Sequence, residues 1–156
     1  MAYAREDLYV IDDAVALIRR RPCMYAGDAP RAVRLAAKMA GDLLQFGVRS
    51  VTAEALGPWW LITSHSDWLT IDGVYRSEYW HRIVAAPEIG LEAMRPEVLL
   101  TAFSSVLFTV SKGSVEFLMG DKIGNAAMQM RLGTLLAPEF RGRAVGFLIE
   151  ECLIEE

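Results

Sequence analysis

Apolar positions recur along the chain with two periods, and the switches between them divide it into elements. From Ile11 to Arg20, the residues Ile11, Ala14, Val15, Leu17 and Ile18 fall largely on one helical stripe. Asp12 and Asp13 sit at the positive end of that helix dipole and Arg19 to Arg21 at the negative end. Pro22 stops the helix, Cys23-Met24-Tyr25 reads as a short buried link, and Gly27-Asp28 turns and caps a second helix that Pro30 opens. In it, Val33, Ala36, Ala37, Ala40, Leu43 and Leu44 recur at three and four residues until Gly47 ends the pattern. The period then drops to two. Val48 to Leu56 and Trp59 to Ser64 predict a hairpin around Gly57-Pro58, with Val51, Ala53, Ala55, Trp60 and Ile62 available to one face.

Asp72 to Met94 keeps neither period and predicts an irregular or sparsely helical connection, rich in aromatic and arginine side chains. Arg95-Pro96-Glu97 starts a third helix that buries Val98, Leu99, Ala102, Phe103, Val106 and Leu107. Ser114 to Met119, Asn125 to Leu136 and Ala144 to Ile154 predict three further strands; Ala127 to Leu132 alternates apolar and polar as a half-exposed antiparallel strand does. The five strands and three helices predict an α/β (α+β) two-layer sandwich, with helices packed on one face of a mostly antiparallel sheet. Residues 1–156 then form a single domain, with 1–10 as an N-terminal arm able to pack on the body or on a neighbour.

Composition narrows the function classes. With 53% hydrophobic and 23% charged residues, the chain is globular and long enough for one sizeable core. Its apolar runs fall short of a membrane span, and its start lacks the layout of a signal peptide, so a cytoplasmic protein is expected. A net charge of −4 argues against nucleic acid and is compatible with a basic protein partner. Cys23 and Cys152 read as free, mostly buried thiols, and His65 and His81 have no metal-ligand spacing. No metal or cofactor is expected.

The run Arg19-Arg20-Arg21-Pro22-Cys23-Met24-Tyr25-Ala26-Gly27-Asp28 resembles the start of the ATPase domain of DNA gyrase B and its type IIA topoisomerase relatives, where Arg-Lys-Arg-Pro-x-Met-Tyr-Ile-Gly precedes the nucleotide-binding helix. Glu97-Val98-Leu99-Leu100-Thr101 is similar to the helix that precedes the ATP lid in that family. The resemblance implies a GHKL, or Bergerat, fold and raises dimerisation through the N-terminal arm. It also implies where an ATPase would keep its chemistry, and this chain departs at each place. Lys38 stands where the water-activating Glu belongs, and Gly41-Asp42 where the magnesium-binding Asn belongs. Thr63 to Trp68 replaces Asp-x-Gly-x-Gly, whose Asp bonds adenine, leaving Asp67 as a displaced remnant. Lys112-Gly113 replaces the glycine-rich lid, and Arg141-Gly142-Arg143 replaces the Thr-Gly-Thr whose second Thr supports the adenine-binding Asp.

Those departures imply that catalysis is absent and that function lies in binding. The first expectation is a noncatalytic protein-binding module, such as an immunity or inhibitor protein that neutralises a toxin. Its contact candidates are Tyr75, Arg76, Tyr79, Trp80 and Arg82, with Glu150 and Glu151 as an acidic patch. The bland reading of the same rings is that they cover the core. The alternative expectation is a protein that binds a nucleotide or another small molecule, with Asp42 and Asp67 as remnants of the old ATP cavity.

Overall fold

The computed structural model describes residues 13–26 and 32–150. Three helices come first, α1 (Ala14–Arg20), α2 (Pro22–Ala26) and α3 (Ala32–Gln45). A hairpin of β1 (Thr52–Leu56) and β2 (Trp59–Ser64) follows, then a small one of β3 (Thr70–Ile71) and β4 (Val74–Tyr75) and a 3-10 turn over Ser77–Trp80. The chain continues through α4 (Glu97–Phe103), β5 (Val106–Ser111), β6 (Ser114–Met119), α5 (Ala126–Leu135) and β7 (Arg143–Leu148). Five strands form one antiparallel sheet in the order β1-β2-β7-β5-β6, so the last strand in sequence takes the centre.

Local chemistry accounts for several element ends. Asp13 caps α1, its Oδ1 accepting from the Ala16 N–H at 3.0 Å, and Arg19 at the other end donates from Nε to the Ala102 carbonyl at 2.7 Å. That bond ties the end of α1 to the end of α4. The β5–β6 turn consists of Lys112 and Gly113, both at positive φ (53° and 71°), the conformation a tight two-residue hairpin demands.

Period two in the strands divides the core between the two faces of the sheet. Ile62, Leu107, Val145 and Phe147 point to one face, where Ile18 of α1, Leu35, Met39 and Leu43 of α3, and Val98 and Leu99 of α4 cover them. Leu61, Phe108, Val110 and Ala144 point to the other, where Met128 and Leu135 of α5 pack. The expected layer of helices on one face is present, but α5 packs on the opposite face, so the fold has three layers rather than the expected two.

Four further expectations change. Asn125 to Leu136 is a helix rather than a strand: Asn125 Oδ1 accepts from the Met128 N–H at 3.0 Å, and Met128, Leu132 and Leu135 turn inward at helical spacing. The Ala-Met-Gln-Met-Arg alternation concealed a run of good helix formers. Conversely, the third helix stops at Phe103, and Val106 and Leu107 belong to β5, where β-branched and aromatic side chains fill a central strand. On α3 the buried stripe is Leu35, Ala36, Met39 and Leu43, leaving Val33 and Leu44 exposed. Both ladders fit the helical period, and the one with the larger side chains buries more area. Cys23 and Met24, expected in a buried link, are exposed. The corner at 27–31, the arm at 1–10 and the chain beyond 150, including Cys152, lie outside the described residues.

Gly146 of β7 faces Phe108 of β5, and a Cβ there would come within 2.3 Å of the Phe108 ring. That ring is fully buried, with centroids 5.9 Å from Trp59 and 6.0 Å from Phe117, so it has nowhere to swing. Gly146→Ala is therefore expected to cost about 1–3 kcal/mol, read as a lower urea midpoint at unchanged slope.

Candidate functional site

Arg143 opens β7 on the face that carries Val145 and Phe147, at the end of the sheet where Ser64 and Ser111 flank it in register. A guanidinium so buried needs a partner. The loop after β2 supplies Asp67, whose carboxylate takes the Arg143 Nε on Oδ1 and Nη2 on Oδ2, the latter at 3.1 Å. Oδ2 also accepts from the Thr70 hydroxyl at 2.8 Å and the Ser111 hydroxyl at 3.0 Å, and Oδ1 from the Leu69 N–H at 3.2 Å. The remaining arm of Arg143, Nη1, donates to Thr109 Oγ1 at 2.8 Å. The Tyr75 ring lies against the guanidinium, its centroid 4.6 Å away. The Tyr75 hydroxyl in turn accepts from the Trp80 indole N–H at 2.9 Å.

This network forms the floor of a cavity of about 290 Å³ between β4, β5 and β6, with Lys112, Ser114 and Glu116 at its far side. Burial alone would raise the Asp67 carboxyl, but the hydrogen bond and charge of Arg143, with the Thr70 and Ser111 hydroxyls, outweigh it and hold the group below its ordinary 3.8. Burial pushes the Tyr75 hydroxyl up, partly offset by Trp80 and reinforced by the Glu116 charge. At neutral pH the cavity thus holds a carboxylate with its lone pairs engaged and a protonated phenol. Neither is poised to move a proton.

A second cavity, of about 390 Å³, shares Thr70 with the first and opens toward the end of α3. Phe46, Trp68, Ile71 and Tyr79 line it, and Arg95 is its buried cation. Arg95 Nε donates to Glu97 Oε2 at 3.2 Å and Nη2 donates to Oε1, while the guanidinium lies 4.1 Å from the Phe46 centroid and 4.7 Å from that of Tyr79. Glu97 is fully buried. Its burial raises the carboxyl above 4.5, Arg95 pulls it back, and the charge of Asp42 adds to the upward push.

The structure separates the two candidate carboxylates, Asp42 and Asp67. Asp42 pairs with Lys38 one helical turn away at 3.1 Å and lines neither of these cavities, whereas Asp67 is central to the first. Of the contact candidates, Trp80 is fully buried in the core and cannot meet a partner in this fold. Tyr75 and Tyr79 are half-buried against arginines, and Arg76 lies 3.8 Å from Glu78. Arg82 and Glu150 are exposed; Glu151 lies outside the described residues. Sequence reasoning missed Arg143 and Arg95 as site residues. A signal existed for the first: an arginine at an inward position of an otherwise apolar strand calls for a buried anion.

No protein-family model, curated protein or solved structure matches the chain.

Asp67→Asn keeps the shape of the site and leaves Arg143 buried without its anion, so a loss of about 3–5 kcal/mol is expected near neutral pH. Because the folded-state pKa lies below 3.8, this contribution is complete above that value and disappears as pH falls through the lowered pKa. Chemical denaturation across acid pH should therefore show the wild-type and variant stabilities converging below 3.8. At the other pair, Glu97→Leu alone should cost a similar amount, about 3–5 kcal/mol, and adding Arg95→Met should recover most of it. Melting temperatures of the two single variants and the double variant measure that coupling.

Proposed function

We propose that this chain is a noncatalytic protein-binding module on a gyrase-B-like, GHKL-type scaffold, of the kind that neutralises or regulates another protein, as an immunity protein does a toxin. The observation that carries the reading is the state of Asp67. The resemblance would give this carboxylate to adenine, yet both its oxygens are spent on Arg143, Thr70, Ser111 and the Leu69 N–H. The two-residue Lys112-Gly113 turn, standing where a phosphate-binding lid would be, supports the same reading. An anchored carboxylate is a structural element rather than a nucleotide ligand.

The connection from β3 to α4 offers the partner surface. Ile71 is 37% exposed, Val74 53% and Ile83 37%, with the exposed Arg82 beside Ile83 in sequence. Apolar side chains with an arginine at their edge fit the composition of protein interfaces. A second reading, a small-molecule site, is favoured by the cavity that Trp68 and Arg95 line, although it includes neither Asp42 nor Asp67.

Cross-linking in the native host, followed by reconstitution of the captured species as a purified protein, tests the first reading. A one-to-one complex is expected, weakened at least about tenfold, or 1.4 kcal/mol, in Val74→Asp/Ile83→Asp at an unchanged melting temperature. Equal affinity of that double variant, or a melting-temperature rise with Mg-ATP, would overturn it.

A further inference from the structure

A third cavity, of about 500 Å³, lies between the end of α5 and the β5–β6 turn. Leu136, Pro138 and Phe140 give it an apolar lining, and Lys112, Gly113 and Arg141 complete it. The surrounding fold holds these residues in place. The Leu136 N–H donates to the Leu132 carbonyl at 3.0 Å and the Phe140 N–H to the Ala137 carbonyl at 3.1 Å, and Phe140 packs against the core beneath α5. Gly142, next to Arg141, lies so near the Ser64 carbonyl that a Cβ would fall 1.7 Å from it, and its own carbonyl accepts from the Ser111 hydroxyl at 3.3 Å. The cavity is therefore formed in advance, as small-molecule sites usually are.

Charge decides what the cavity accepts. Lys112 and Arg141 are both exposed, neither forms an ion pair among the described residues, and no carboxylate is among the residues that line the cavity. In a chain of net charge −4, this place collects two cations and no anion. Long basic side chains lay their stems along apolar surface and keep their charged ends in water, where a carboxylate can meet them. An inorganic anion would leave the apolar lining wet, and a plain hydrocarbon would leave both cations unmatched. We propose that this cavity binds a small amphiphilic carboxylate of the alkanoate class, its tail on Leu136, Pro138 and Phe140 and its carboxylate at Lys112 and Arg141. None of these residues belongs to the β3–α4 surface or to the cavity beside Arg95, so both readings of function stand or fall separately from this one.

Octanoate is the probe, and the backbone amide resonances of Gly113 and Arg141 in the ¹⁵N-labelled full chain are the readout. Octanoate should shift both saturably. Octylammonium, the same tail carrying the opposite charge, should bind at least about tenfold more weakly. Hexanoate should bind at least about fourfold more weakly, the loss in affinity that one buried methylene represents. Lys112→Gln/Arg141→Gln should weaken octanoate about three- to tenfold, the range that two exposed ion pairs allow. Leu136→Gln, which makes the lining polar and keeps both cations, should weaken it at least about fourfold. Unchanged melting temperatures establish that the variants are folded. Unmoved resonances at millimolar octanoate, octylammonium or hexanoate binding as tightly as octanoate, or equal affinity of either variant would each overturn the proposal.

Discussion

The Asp67–Arg143 pair is the interaction on which the polar end of this molecule depends. It joins the loop after β2 to the first residue of the central strand, and through Thr109, Ser111 and Thr70 it reaches β5 and β3. A charge inside a small fold is tolerable only when its hydrogen bonds are completed, and here each guanidinium nitrogen has a protein acceptor. The small hairpin of β3 and β4 then lies over the pair through Tyr75, whose hydroxyl is fixed by the core residue Trp80. Sheet, loop and hairpin are held at one point.

Arg95 and Glu97 repeat the device on the other side of Thr70. Both pairs bury a guanidinium against a carboxylate and place aromatic carbon against the guanidinium, but they leave different surroundings. The first cavity is lined by hydroxyls and by charges of both signs; the second is lined mainly by aromatic and aliphatic side chains. Chemistry that activates water or moves a proton needs a group near neutrality with a free lone pair, and Asp67 is arranged the opposite way.

Much of the architecture was legible because the local pattern and the tertiary environment agree. β2 and β6 begin and end where alternation and turn residues place them, and α1 ends at its arginines. Disagreement arose where two patterns fit the same residues. Ala127 to Leu132 satisfies strand alternation and helix propensity together, and only the apolar sheet face waiting at Trp59, Leu61 and Phe108 selects the helix. Val33 and Leu44 lost their place in the core to Leu35 and Met39 for a similar reason, since the sheet accepts one stripe of α3 and the larger side chains fill it.

The sequence by itself determined the inventory: a chain that alternates and turns into an antiparallel sheet and carries helices to cover it. Only the tertiary structure decided which residues meet. Asp67 and Arg143 lie 76 positions apart and share no local pattern, and their pairing follows from β7 inserting between β2 and β5 in one register. A shift of that register by one residue would turn Arg143 to the opposite face. Periodicity specifies which face a side chain takes within its own strand; what stands opposite it is set by the packing of the whole sheet.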